Sequence, residues 1–178
     1  TGGIVLRASK FETGFDPSKP VTKNYIFLSS VRNQLHPGGS WPNGYVNGQV
    51  IDLEMDSKVT SDSRYNNLIE TALLDIPTIS ITTDMDNLFS PQTGIYVNAE
   101  NHGSEWERPA NIELINPDES EGFNIDAGLR IRGGWSRHGG YPKHAFRFFF
   151  RNDYGEGKLN YPLFGNEGVN EFDKIDLR

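Results

Sequence analysis

Between Arg130 and Arg151 the chain places six basic residues: Arg130, Arg132, Arg137, Lys143, Arg147 and Arg151. His138 and His144 sit among them, and no acidic residue interrupts the run. Guanidinium and ammonium groups gathered this way form charge-assisted hydrogen bonds to anions, above all to phosphate. All 24 Asp and Glu residues lie elsewhere, in a chain of 178 residues with a net charge of −7. A basic island in an acidic protein points to a local anion site and disfavours a general nucleic-acid binder. The same island also fits a solvated strand face whose arginines pair with carboxylates from the rest of the chain.

Four glycines, Gly133, Gly134, Gly139 and Gly140, fall between the two halves of this island. Glycine lets backbone N–H groups come close to a phosphate, but it also serves simple bulges and bends. Strand alternation sets Arg130 and Arg132 on one face, with Leu129 and Ile131 on the other. In the second half it groups Lys143, Arg147 and Arg151 against His144, Phe146, Phe148 and Phe150. The aromatics can then face a core while the basic side chains share a solvent or ligand face.

Other chemistry is sparse. His36, His102, His138 and His144 show no metal-ligand spacing. Ser136 near His138 has no orienting acid to complete a triad. In Glu105-Trp106-Glu107-Arg108-Pro109, either glutamate is a candidate ion-pair partner, for Arg108 or, as in kinases, for Lys143. Asp84-Met85-Asp86-Asn87 lacks the twelve-residue ligand pattern of a calcium loop, so capping and turn formation explain it better. There is no cysteine, which excludes a disulfide scaffold, a thiol nucleophile and a thiolate metal site.

The elements that must carry these residues are mainly β. Alternation predicts strands at residues 3–8, 21–28, 77–83, 95–98, 110–115, 123–132 and 144–151, with another starting at 173. Residues 3–28 read as a β-hairpin turning through Thr13-Gly14-Phe15-Asp16-Pro17-Ser18. Residues 29–62 lose the pattern. They hold the turn-rich His36-Pro37-Gly38-Gly39 and Trp41-Pro42-Asn43-Gly44 in an aromatic connector. Leu68, Ile69, Ala72 and Leu73 predict a helix over 65–74, with Ser61-Asp62 as its cap and Pro77 beyond its end. Apolar residues at 35% and charged residues at 23% describe a globular chain with a core, not a disordered one. No apolar run approaches the roughly 18 residues of a membrane span. The chain opens at Thr1, without Met or a signal-like segment, and stops inside a predicted strand. We therefore expect a fragment or a processed piece.

One resemblance is dense. Ile76-Pro77-Thr78-Ile79-Ser80-Ile81-Thr82-Thr83-Asp84 with Asn87-Leu88-Phe89 is followed by Thr93-Gly94-Ile95-Tyr96-Val97-Asn98 and Glu105-Trp106-Glu107-Arg108-Pro109-Ala110. Then come Gly128 to Gly134, Pro142-Lys143, Phe146-Arg147 and Tyr161-Pro162-Leu163-Phe164. Over about residues 70–178 the chain resembles the N-terminal part of the CotH family, the spore-coat protein H kinases. Residues 1–28 more weakly resemble the last hairpin of the chitobiase-type, Ig-like modules that precede such domains in large secreted bacterial proteins.

The resemblance implies an α+β, mainly β chain: the N-lobe-like portion of an atypical protein-kinase-like fold behind an N-terminal β-hairpin. Its parts would be residues 1–28 as the tail of an upstream β-sandwich, 29–75 as connector and helix, and 76–178 as the truncated CotH-like portion. It implies ATP and magnesium as cofactors of the complete domain, and phosphorylation of Ser or Thr in a protein substrate. Arg132, Lys143 and Arg147 would then face nucleotide phosphates. It implies an extracellular or cell-surface setting, and the remainder of its own polypeptide as a partner. The family's catalytic and metal-binding aspartates lie further along, so this chain alone is expected to be inactive. The competing expectation is a non-catalytic adhesion or assembly module of a bacterial surface protein, with Trp41, Tyr45 and Trp106 serving an interface or a glycan. A third is an anionic-polymer binder using the basic face.

Overall fold

The structure, a computed structural model, describes residues 2–178. Thr1, the first residue of the expected hairpin segment, lies outside the described residues. The fold is mixed α and β, mainly β, and its largest feature is a five-stranded antiparallel sheet. In chain order the strands are β1 (Gly3–Ala8), β2 (Val21–Ile26), β3 (Gly44–Val46), β4 (Gln49–Ile51), β5 (Thr78–Thr82), β6 (Arg108–Ile115), β7 (Asn124–Arg132), β8 (Ala145–Phe149), β9 (Leu159–Asn160), β10 (Glu171–Phe172) and β11 (Lys174–Leu177). Among the described residues the α-helices are α1 (Leu28–Arg32), α2 (Ser57–Thr60), α3 (Ile69–Leu74) and α4 (Met85–Phe89), all short. The sheet order is β11-β8-β7-β6-β5. Among the described residues no helix is long and apolar enough to cross a membrane.

The chain divides into two compact units. The first comprises residues through Pro37, Leu53–Thr82 and Glu113–Asn124. In it β1 and β2 pair antiparallel from Gly3↔Ile26 to Ala8↔Val21. Every residue of β1 is exposed, whereas Thr22 and Asn24 of β2 are buried. Helix α1 packs on α3, and Arg32 reaches Glu70 at 3.9 Å. Asp56 caps α2 by accepting from the Lys58 backbone N–H at 2.8 Å.

The second unit comprises Gly38–Asp52, Thr83–Ile112 and Ile125–Arg178. Its core holds Ile95, Val97, Ala99, Ile112, Ala127, Leu129 and Phe148, all essentially closed to solvent. Each large one contributes roughly 1.5–3 kcal/mol by leaving water. The alternation in β7 and β8 works as the sequence predicts. Leu129 lies opposite Phe148 and Ile131 opposite Phe146. Arg130, Arg132 and Arg147 alternate with them. Strands β3 and β4 form a tight hairpin through Asn47 and Gly48, both at positive φ (52° and 80°), as a two-residue turn of this hand requires.

Three local expectations change. Residues 95–98 are not a strand. Ile95, Val97 and Ala99 are buried in alternation, but the backbone bonds the end of α4 instead of a neighbouring strand. The N–H of Ile95 donates to the Asn87 carbonyl at 2.9 Å and that of Tyr96 to the Leu88 carbonyl at 3.0 Å. The segment is a hydrogen-bonded turn, in which the Asn98 N–H donates to the Gly94 carbonyl at 3.2 Å, so burial alternates here without a ladder. The helix expected over 65–74 is regular only in α3, because Asp62 first organises a turn. Its carboxylate accepts from the Arg64 N–H at 2.9 Å, and its carbonyl accepts from Tyr65 and Asn66. Asp84 stands at the N-cap of α4 but makes no side-chain cap bond.

Candidate functional site

On one face of the sheet, register places Arg130 of β7 opposite Arg147 of β8, and Arg147 opposite Asp176 of β11. Two like charges directly opposite each other are unfavourable unless each finds a counter-ion. Each does. Arg147 meets Asp176 as a fork, with Nε to Oδ1 at 2.5 Å and Nη2 to Oδ2 at 2.8 Å. Arg132 adds its Nε to Asp176 Oδ2 at 3.1 Å. The Arg147 bond lowers the Asp176 pKa to about 2; partial burial opposes this and Arg132 reinforces it. Asp176 in turn raises the Arg147 pKa.

Arg130 is held by Glu107, whose carboxylate is 4% exposed. Arg130 Nε donates to Glu107 Oε2 at 2.7 Å, and Tyr154 Oη donates to Oε1 at 2.9 Å. Arg151 lies 3.4 Å from the same carboxylate. The Arg130 and Arg151 guanidinium groups both lie over the Phe149 ring, at 4.5 and 4.7 Å. Burial and the Glu107 bond raise the Tyr154 pKa to about 12, so its hydroxyl stays a donor. The expected pairing of Glu107 with Lys143 is not found. Arg130, Tyr154 and Arg151 take the glutamate, and Lys143 stands in the loop before β8.

Gly128 leaves the space for this cluster. A Cβ there would press on Glu107 Oε1 and lie 2.6 Å from the Tyr154 ring. Gly128→Ala is expected to cost about 1–3 kcal/mol by overpacking. Gly134→Ala, where a Cβ meets nothing within 4 Å, is expected to be close to neutral. Paired thermal melts of the two variants check this.

The arginines line a cavity of about 140 Å³. Its walls include Arg130, Arg132, Arg137 and Arg147 with Asn98, Asn101 and His102. Arg137 is its structural pin. Nε donates to the Gly133 carbonyl at 2.7 Å, Nη1 to the Ala99 and Asn101 carbonyls at 2.6 and 2.9 Å, and Nη2 to the Ile131 carbonyl. Burial lowers the Arg137 pKa, and the Arg132 charge adds to this. Behind the cavity His144 is buried. Its Nδ1 lies 2.7 Å from the Ser136 carbonyl and its ring 4.6 Å from that of Tyr96. Burial lowers its pKa, so it is a neutral core residue and not part of the basic surface.

Of the residues expected from sequence to face a phosphate, the structure brings Arg132 and Arg147 together on Asp176. Lys143 is exposed and does not line the cavity. The strand begins at Ala145, so the alternation that groups Arg147 with Lys143 has not started at Lys143. Sequence reasoning passed over Arg130, Arg137, Asn98, Asn101 and His102. The basic island contains the first two. Nothing local marks the other three, which reach the cavity on hydrogen-bonded turns.

Chemically, the arrangement suits a small anion with several oxygens. Arg130 and Arg132 each engage a carboxylate through Nε, leaving the Nη end of the fork outside those bonds. Among the described residues no group of three His, Asp or Glu side chains converges as a metal site. Trp41, one of the expected interface aromatics, packs against Phe89 at 6.0 Å between ring centroids. The Arg108 guanidinium lies 5.5 Å from the Trp106 ring centroid. Tyr45 is 74% exposed. No family model, curated protein or solved structure matches this chain.

Proposed function

We propose that this chain is the phosphate-holding, N-lobe-like portion of a CotH-like protein kinase acting at the cell surface or outside the cell. The observation that carries the anion site is the cavity walled by four arginines, with Asp176 lying on two of them. In this reading Asp176 occupies the position of an anionic ligand, and phosphate oxygens compete with it for Arg132 and Arg147. The kinase assignment rests on the motif resemblance. The arginine set fits the phosphates of ATP. Among the described residues no three carboxylate or imidazole side chains converge to hold magnesium. The carboxylates that phosphoryl transfer needs would come from further polypeptide, and this chain by itself is expected not to transfer phosphate to protein Ser or Thr.

The test is equilibrium binding of tripolyphosphate, ATP and adenosine. Tripolyphosphate and ATP are expected to bind, and more weakly as salt rises; adenosine alone is not. Arg147→Ala is expected to weaken polyphosphate binding about tenfold or more, from the loss of charge-assisted bonds. Asp176→Asn is expected to act in the opposite direction and tighten it, because a competing carboxylate is gone. Failure of both polyphosphates to bind would remove the anion site. Equal binding of tripolyphosphate and ATP, with no gain from the nucleoside, would leave the anion site standing without the kinase assignment.

A further inference from the structure

A second cavity, of about 360 Å³, lies between the Asn47–Gly48 turn, the 97–101 segment and the 138–140 loop. It shares Asn98 and Asn101 with the arginine cavity, but its lining has no lysine or arginine and a single carboxylate, Glu100. Side-chain amides dominate it. Gln49 is 4% exposed, and its Nε2 donates to the Arg137 carbonyl at 3.1 Å. Its Oε1 is buried without a hydrogen-bond partner, which is unfavourable.

An aromatic platform stands at the same loop. Trp135 is 76% exposed, although large aromatic rings ordinarily leave water. The ring is fixed rather than loose. Its Nε1 donates to Tyr141 Oη at 2.6 Å, and it stacks on His138 at 5.7 Å and 15°. The Arg137 bonds hold the turn beneath it, and the Val50 N–H donates to the Gly139 carbonyl at 2.9 Å. Gly139 is required there, because a Cβ would press on the Gly48 carbonyl.

A rigid exposed ring beside an amide-lined cavity with no basic side chain and a single carboxylate matches a ligand with one apolar C–H face and a rim of hydroxyls. We propose that Trp135, His138 and Tyr141, with Gln49 and Asn101, form a binding site for a neutral saccharide. A pyranose ring lies on Trp135, and its hydroxyls reach the amides. This inference does not depend on the kinase assignment.

Calorimetric titration of the whole chain with cellotetraose, chitotetraose, xylotetraose and mannotetraose tests it. At least one is expected to bind saturably. Trp135→Ala is expected to weaken that binding about tenfold or more, whereas Trp135→Phe retains most of it. Circular dichroism establishes that both variants are folded. The binding is expected to be flat with salt and unaltered in Arg147→Ala, which separates it from the anion site. No heat with any of the four sugars overturns the proposal, as does unchanged affinity in Trp135→Ala. Binding of a proline-rich peptide at Trp135 in place of every sugar also overturns it.

Discussion

Arg137→Ala is expected to destabilise the second unit by about 4 kcal/mol and to abolish anion binding with it. The guanidinium ties four carbonyls, those of Ile131 in β7 and Gly133 just beyond it with those of Ala99 and Asn101 in the 99–101 segment. Ala99 is fully buried and Ile131 nearly so. Removing the side chain leaves acceptors without donors in places water reaches poorly, and the loss exceeds that of an exposed hydrogen bond. The turn at 135–137 then has no tie to the 99–101 segment, and the wall shared by both cavities is released. Arg137→Lys is expected to recover less than half, because an ammonium is a point charge and not a planar fork with donors in several directions. Urea unfolding at neutral pH checks this. A lower midpoint with an unchanged slope is expected, and a wild-type midpoint in Arg137→Ala would show that the four bonds are dispensable.

The sheet was legible where alternation and chemistry agree. Leu129 and Ile131, with Phe148 and Phe150, announce a buried face, and the arginines between them announce the other. Alternation alone was not enough at Ile95, Val97 and Ala99. There the burial pattern of a strand occurs without a ladder, because the amides bond α4. Lys143 shows the same limit from the other side. It shares the parity of Arg147 but stands before the first paired residue of β8. Half of the candidate site could be read from charge: the island contains all four cavity arginines. What charge could not show is which carboxylate each one meets. Asp176 and Glu107 are set by cross-strand register and by a turn some 20 residues upstream of β7's arginines, and neither is a property of the local sequence. Arg137 was the least legible. Two of its four carbonyl partners lie more than 30 residues away, and backbone acceptors carry no residue signature.

Glu113→Ala is expected to cost about 2–6 kcal/mol, roughly 1–3 for each of the two buried Asn24 donors it leaves unsatisfied. Glu113 is 1% exposed, within the first unit. Its Oε2 accepts from the Asn24 backbone N–H and from Asn24 Nδ2, both at 2.8 Å, and its Oε1 accepts from Lys23 Nζ. Asn24 Oδ1 in turn accepts from Thr82 Oγ1 at 2.9 Å, so the carboxylate anchors β2 through a buried chain. Truncation leaves the two Asn24 donors unsatisfied. The exposed Lys23 ammonium turns to water at little cost. Burial by itself would raise the Glu113 pKa, but the bonds from Lys23 and Asn24 outweigh it and lower the pKa below the ordinary 4.5. The unfolded chain therefore takes up this proton at a higher pH than the folded one. The stabilisation is complete above the unfolded value and is lost as pH falls through the lowered folded value. Glu113→Gln carries no titrating carboxylate and keeps one acceptor for Asn24. Its deficit relative to wild type is expected to be largest near neutral pH and to shrink as pH falls through the lowered folded value. Urea midpoints of the two proteins across that range decide it, and parallel acid limbs would mean that the Glu113 charge does not hold β2 in place.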